Sequence, residues 1–136
     1  MAMIKFEKSN RTITMADLLT FEEKYGYKLT EDYKTHMLKY NGGEPIGEEV
    51  FFGDDEYTLY KFFNLNEGDD SVATYIELSE RVLPPNHLTI GRILGGNICI
   101  CLKGANRGCV YAYYSECELI YLTVCFTDFV EGLEEG

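Results

Sequence analysis

The chain has 136 residues, 46% hydrophobic and 26% charged, enough for one continuous core and too few for two. This ordinary globular composition, without a low-complexity tract, argues against disorder, and no apolar run approaches the roughly 20 residues of a membrane-spanning helix. With 23 acidic side chains against 12 basic ones the formal net charge is −11, which disfavours nucleic acid and anionic membrane surfaces as partners.

The N-terminal MAMIKFEKSNR lacks the apolar stretch of a signal peptide, so the chain is expected in the cytoplasm, as one domain over residues 1–136. In TMADLLTFEEKYGYK, Thr14 and Asp17 have the spacing of a capping box, and Leu18, Phe21 and Tyr25 recur at helical intervals up to Gly26. Thr30 is placed to cap a second helix, in which Glu31 and Asp32 favour the positive end of the dipole and Tyr33, Met37 and Tyr40 form a buried stripe. Asn41-Gly42-Gly43 ends that helix, since glycine enters the left-handed region without a Cβ clash, and the turn is read as structural.

After Pro45, EEVFFG and YTLYKFFNL read as the two strands of a hairpin bounded by acidic turns. DDSVATYIELSERVL reads as a third helix, with Val72, Tyr75, Ile76 and Leu83 on one side, ending before Pro84-Pro85. HLTIGRI, NICICL, CVYAYY and LIYLTVCF are four further strands, the middle two joined by the turn-rich KGANRG. Phe126, Phe129, Val130 and Leu133 close the chain as a short helix with Thr127 as its cap. This order predicts a single α+β domain, a mostly antiparallel sheet with about four helices packed around it.

The residues that carry catalysis or metal chemistry in other proteins do not assemble here. Cys99, Cys101, Cys109, Cys117 and Cys125 are odd in number and contain no CxxC pair, so reduced thiols are expected. Cys99 and Cys101 share one face of a strand and Cys109 begins the facing strand. A four-ligand zinc site would need a second close pair, and none has the spacing, so neither metal nor cofactor is expected. His36 and His87 are the sole candidate bases for a cysteine nucleophile. Each reads as a packed or boundary residue. IGRILGGN lacks the strand-loop-helix setting of a phosphate cradle, and the carboxylates crowd into turns without an identifiable catalytic pair. No catalytic residue is assigned, and the chain is read as not an enzyme.

FEEKYGYKLTEDYKTHMLKYNGGEP resembles the signature of the SUKH superfamily, a helix with Glu and Gly, a Leu-Pro-x-Asp-Tyr run and a helix ending in Asn-Gly-Gly. The matching positions are Glu23, Gly26, Leu29, Asp32, Tyr33, Asn41, Gly42 and Gly43. LPPNHLTIGRILGGNICICLKGANRGCVYAYY is similar to the family's second block, an Ile-Gly loop followed by a glycine-bounded hairpin, and CFTDFVEGL to its closing helix. Thr30 stands where the family has proline, His36 where an aromatic is common, and Cys101 where an acid is frequent. The resemblance implies a protein-binding module. Many bacterial members look like immunity proteins that neutralise toxins of polymorphic or contact-dependent systems, often nucleases, and fungal relatives include a cell-wall-assembly regulator.

The distribution of charge agrees with that implication. Residues 1–41 carry +1 and residues 81–136 carry −2, whereas Gly42–Glu80 holds eleven acids and one base, a net −10. A nuclease toxin must present basic groups to phosphate, and an acidic segment speeds encounter with such a surface. Phe51, Phe52, Tyr57 and Tyr60 are interleaved among these acids. The candidate contacts to a basic toxin domain are therefore Glu48, Glu49, Asp54, Asp55 and Glu56, while the bland alternative for this segment is a solvated surface. A housekeeping interaction or scaffold protein of the same fold is the second reading and a small enzyme of unrecognised type the third. Nothing in the sequence sets the oligomeric state.

Overall fold

Thr14 starts the first helix as its spacing requires. In the computed structural model, which describes residues 4–8, 11–47, 49–53, 57–66, 71–79, 83–114 and 118–135, α1 runs over Met15–Tyr25. The Thr14 hydroxyl accepts from the Asp17 amide at 3.2 Å and the Asp17 carboxylate accepts from the Thr14 amide at 2.8 Å. Both bonds satisfy donors that a helix start leaves open. Gly26, at φ 75°, closes α1 in the left-handed conformation.

The second helix, α2 (Glu31–Tyr40), begins at Thr30, but the expected cap is replaced by another device. Asp32 intercepts the threonine: its Oδ1 accepts from the Thr30 hydroxyl at 2.7 Å and from the Tyr33 amide at 2.8 Å. Its Oδ2 accepts from the amide and hydroxyl of Thr127, at 3.0 and 3.2 Å. Burial alone would raise the Asp32 pKa, and the bonds from Thr30, Thr127 and Tyr33 outweigh it, holding the group below the usual carboxylate value.

The remaining elements are β1 (Val50–Phe52), β2 (Tyr57–Phe62), α3 (Val72–Ser79), β3 (His87–Ile93), β4 (Gly96–Cys101), β5 (Val110–Tyr113), β6 (Ile120–Thr123), α4 (Phe126–Glu131) and β7 (Leu133–Glu135). They form one sheet in the order β6-β5-β4-β3-β2-β1-β7, with every neighbouring pair antiparallel. The α+β expectation holds, with four helices among the described residues. Three local expectations change. Leu133 leaves the closing helix and pairs with Phe52 in β7, because a strand there satisfies the free side of β1. Cys125, not Thr127, caps α4, its Sγ accepting from the Asp128 amide at 3.4 Å. Leu83 lies beyond the described end of α3, at whose start the Ser71 hydroxyl accepts from the Thr74 amide at 3.2 Å.

One face of the sheet and the helices enclose the core: Leu88, Ile90, Ile98, Ile100, Val110 and Ala112 meet Leu18, Phe21, Tyr33, Met37, Phe126 and Phe129, all buried. The turn after α2 is locked into this core. Asn41 is itself the left-handed cap, at φ 48°, and its carboxamide oxygen accepts from the Leu65 amide at 3.0 Å. Its Nδ2 donates to the Arg11 carbonyl at 2.9 Å and to Asn66 Oδ1. Gly42 and Gly43 follow at φ 98° and 94°. A Cβ on Gly42 would stand 2.7 Å from the Phe62 carbonyl oxygen, and one on Gly43 would collide with that of Glu7. The turn is the joint between α2, β2 and the N-terminal segment.

Candidate functional site

Cys99, Cys101 and Cys109 lie on the β4–β5 hairpin, and Cys125 caps α4. Cys99, Cys101 and Cys109 are buried and free, Cys125 is half-buried and free, and Cys117 lies outside the described residues. Burial, reinforced by nearby Cys101, pushes the Cys99 thiol up to about 12, so it stays protonated and unreactive at neutral pH. Cys101 donates its S–H to the Lys103 carbonyl at 3.3 Å, and His87 donates from Nδ1 to the Pro85 carbonyl at 3.0 Å. Among the described residues no three His, Cys, Asp or Glu side chains converge as a metal site.

His36 belongs to the core. Its ring meets Phe6, Tyr40, Phe62 and Phe126 at centroid distances of 4.9 to 5.2 Å. Its Nε2 lies 2.9 Å from the Gly42 carbonyl oxygen, which can only accept, so the neutral ring carries its proton on Nε2. Burial drives its pKa down to about 4, the Gly42 carbonyl opposing and the Lys39 charge assisting. The ring packs among its neighbours as an aromatic side chain does.

Of the five acids predicted to contact a partner, Glu49 is described and exposed, one residue before β1. Glu48, Asp54, Asp55 and Glu56 lie outside the described residues. Glu49 and Glu44 line a cleft of about 580 Å³ together with Tyr60, Lys61, Arg92 and Leu94. Arg92 is engaged from the side, donating to the Tyr75 hydroxyl and standing 5.8 Å from the Phe63 ring centroid. The aromatics divide between two roles. Phe52 stacks on Phe129 at 4.7 Å and Tyr57 packs against the core, whereas Tyr60 is 44% exposed. Leu94 and Ile46 nearby are 61% and 51% exposed. The cleft thus combines exposed Tyr60 and Leu94 with two carboxylates and two cationic side chains.

The sheet adds two acids that the sequence order hides. β7 pairs Glu135 with Val50 and Glu134 with Phe51, and both glutamates are exposed. A Cβ on Gly47 would meet the Glu135 side chain at 3.1 Å, so that carboxylate lies against the loop entering β1. Residues more than 80 positions apart in the chain therefore share one acidic end of the sheet. Their signal in the sequence, a bare Leu-Glu-Glu after Gly132, is too short to reveal a strand.

No helix among the described residues is long and apolar enough to cross a membrane. The site offers a surface: a cleft in which exposed Tyr60 and Leu94 lie among Glu44, Glu49, Lys61 and Arg92, and an acidic strand edge. Comparison with curated proteins finds no match. Residues 12–132 match the SMI1 / KNR4 family (SUKH-1), and the chain belongs to that family.

Proposed function

We propose, with SUKH-1 membership as the premise, that this chain is a non-catalytic protein-binding module acting as an immunity protein. It binds a basic toxin domain, of nuclease type, in the bacterial cytoplasm and covers the toxin's active site. The observation that carries this reading is the grouping of Glu44, Glu49, Glu134 and Glu135 at the β1–β7 end of the sheet, beside exposed Ile46, Tyr60 and Leu94. A nuclease holds phosphate with lysine and arginine, so the exposed carboxylates at this end match it in sign, while aromatic and aliphatic anchors buried on binding supply affinity. Glu48, Asp54, Asp55 and Glu56 flank β1 in the chain and are assigned to the same interface.

Co-expression with the toxin encoded beside its gene tests the proposal. The wild-type chain is expected to restore growth. A variant carrying Glu49→Lys, Glu134→Lys and Glu135→Lys, folded and present at the same level, is expected to lose protection. Full protection by that variant would move the interface elsewhere, and failure of the wild type against every toxin domain in its neighbourhood would remove the immunity reading.

A further inference from the structure

The β4–β5 hairpin sets two thiols opposite each other. Ile100 pairs with Val110 and Cys99 with Tyr111, so the register places Cys101 across from Cys109. The backbone bonds agree: the Cys101 amide donates to the Cys109 carbonyl at 3.0 Å, and the Gly108 amide donates to the Cys101 carbonyl at 2.7 Å. Gly108, at φ 97°, is the extra residue of a glycine bulge, which leaves Cys109 facing Cys101. Residues opposed in a hydrogen-bonded antiparallel pair hold their Cα atoms about 5.5 Å apart, within the roughly 4.4–6.8 Å that a disulfide spans. Side chains alternate along a strand, so both thiols share the face of the sheet opposite to the core residues Ile100 and Val110.

From this register we infer that Cys101 and Cys109 form a redox-modification site, a dithiol that hydrogen peroxide converts into a disulfide across the hairpin. One thiol, as its thiolate, attacks the O–O bond; a sulfenic acid forms, and the hydroxide released takes up the proton as water. The opposite thiol then attacks the sulfenic sulfur, the S–S bond forms and a second water leaves. Two thiols have given up two electrons and two protons, and one peroxide has become two waters. The other described thiols are placed differently. Cys99 stands across from Tyr111, fully buried and held protonated, and Cys125 Sγ accepts from the Asp128 amide. Cys101 and Cys109 are 4% and 8% exposed and flank a turn, residues 103–107, that is exposed throughout and is the route by which a molecule as small as peroxide reaches them. Oxidation removes the S–H bond from Cys101 to the Lys103 carbonyl, and at exposed Lys103 water replaces it. The disulfide closes the turn that carries Arg107, whose guanidinium donates to the carbonyls of Leu102, Lys28 and Leu29 at 3.2, 3.0 and 3.4 Å. The staple therefore fixes a hairpin already fastened to the connection between α1 and α2, and the oxidised chain is the more stable form.

Treatment of the reduced full chain with stoichiometric hydrogen peroxide, quenched with catalase, followed by a thiol count under denaturing conditions, tests this. The count is expected to fall by two from five, and dithiothreitol to restore it. Trypsin cuts after Lys103 and Arg107, so the bond should appear as a link between peptides 93–103 and 108–136, which fragmentation assigns to Cys101 and Cys109. The oxidised wild type should melt above the reduced chain. Cys101→Ala should lose both the link and the rise in melting temperature, whereas Cys99→Ala should keep both. Should Cys101→Ala fail to fold, Cys109→Ala replaces it, with the same expectation. In the wild type, an unchanged thiol count, a bond through Cys99, Cys117 or Cys125, a bond between two chains, or a lower melting temperature on oxidation would each overturn the inference.

Discussion

His36 couples the core to pH. Between about 4, its folded value, and the ordinary 6.5, the unfolded chain takes up a proton that the buried ring refuses. The neutral ring's contribution to stability is therefore complete above 6.5 and is lost as pH falls toward 4. His36→Phe removes the titration while keeping an aromatic among Phe6, Tyr40, Phe62 and Phe126. The urea midpoint of the variant should fall less than that of the wild type between pH 6.5 and pH 4. Equal losses would mean that the carboxylates alone set the acid limit. Its place beside Met37 makes His36 a packed or boundary residue, but a period of 3.6 cannot say that residues 6, 62 and 126 converge on it.

At the scale of elements, the helices were legible because their ends are written locally. Thr14 with Asp17, and Gly26, mark α1 by residue type and spacing, and the structure contains both bonds of the capping box. The strands of the meander were legible through branched and aromatic runs between turns. β7 was not, because three residues carry no alternation and its reason for being a strand is β1, some 80 positions earlier. The same nonlocality hid Glu134 and Glu135 from the candidate site. The Asn41-Gly42-Gly43 turn lies between these cases. Its sequence announces a helix end, and the collision awaiting a Cβ at Gly43 adds that the N-terminal segment packs directly on it. Gly43→Ala should cost at least about 2 kcal/mol, since it adds a clash with the Glu7 carbonyl to the strain of a positive φ. Thermal or urea unfolding measures this. A loss below about 0.5 kcal/mol would mean that the segment around Glu7 moves aside freely.

At the scale of the whole molecule, exposed carboxylates gather at the β1–β7 end of the sheet. They gather because the acid-rich segment supplies β1 and β2 and the chain's last strand returns to β1. The encounter rate with the toxin domain tests the acidic end most directly, measured by stopped flow at low and high salt. One variant has Glu49, Glu134 and Glu135 changed to Gln, and a second adds Glu48→Gln, Asp54→Asn, Asp55→Asn and Glu56→Gln. Association should slow at low salt by about tenfold or more in the second variant, with a smaller loss in the first and a flatter salt dependence in both. Wild-type rates in both variants at both salt concentrations would contradict an acidic docking end and leave those carboxylates as solvated surface.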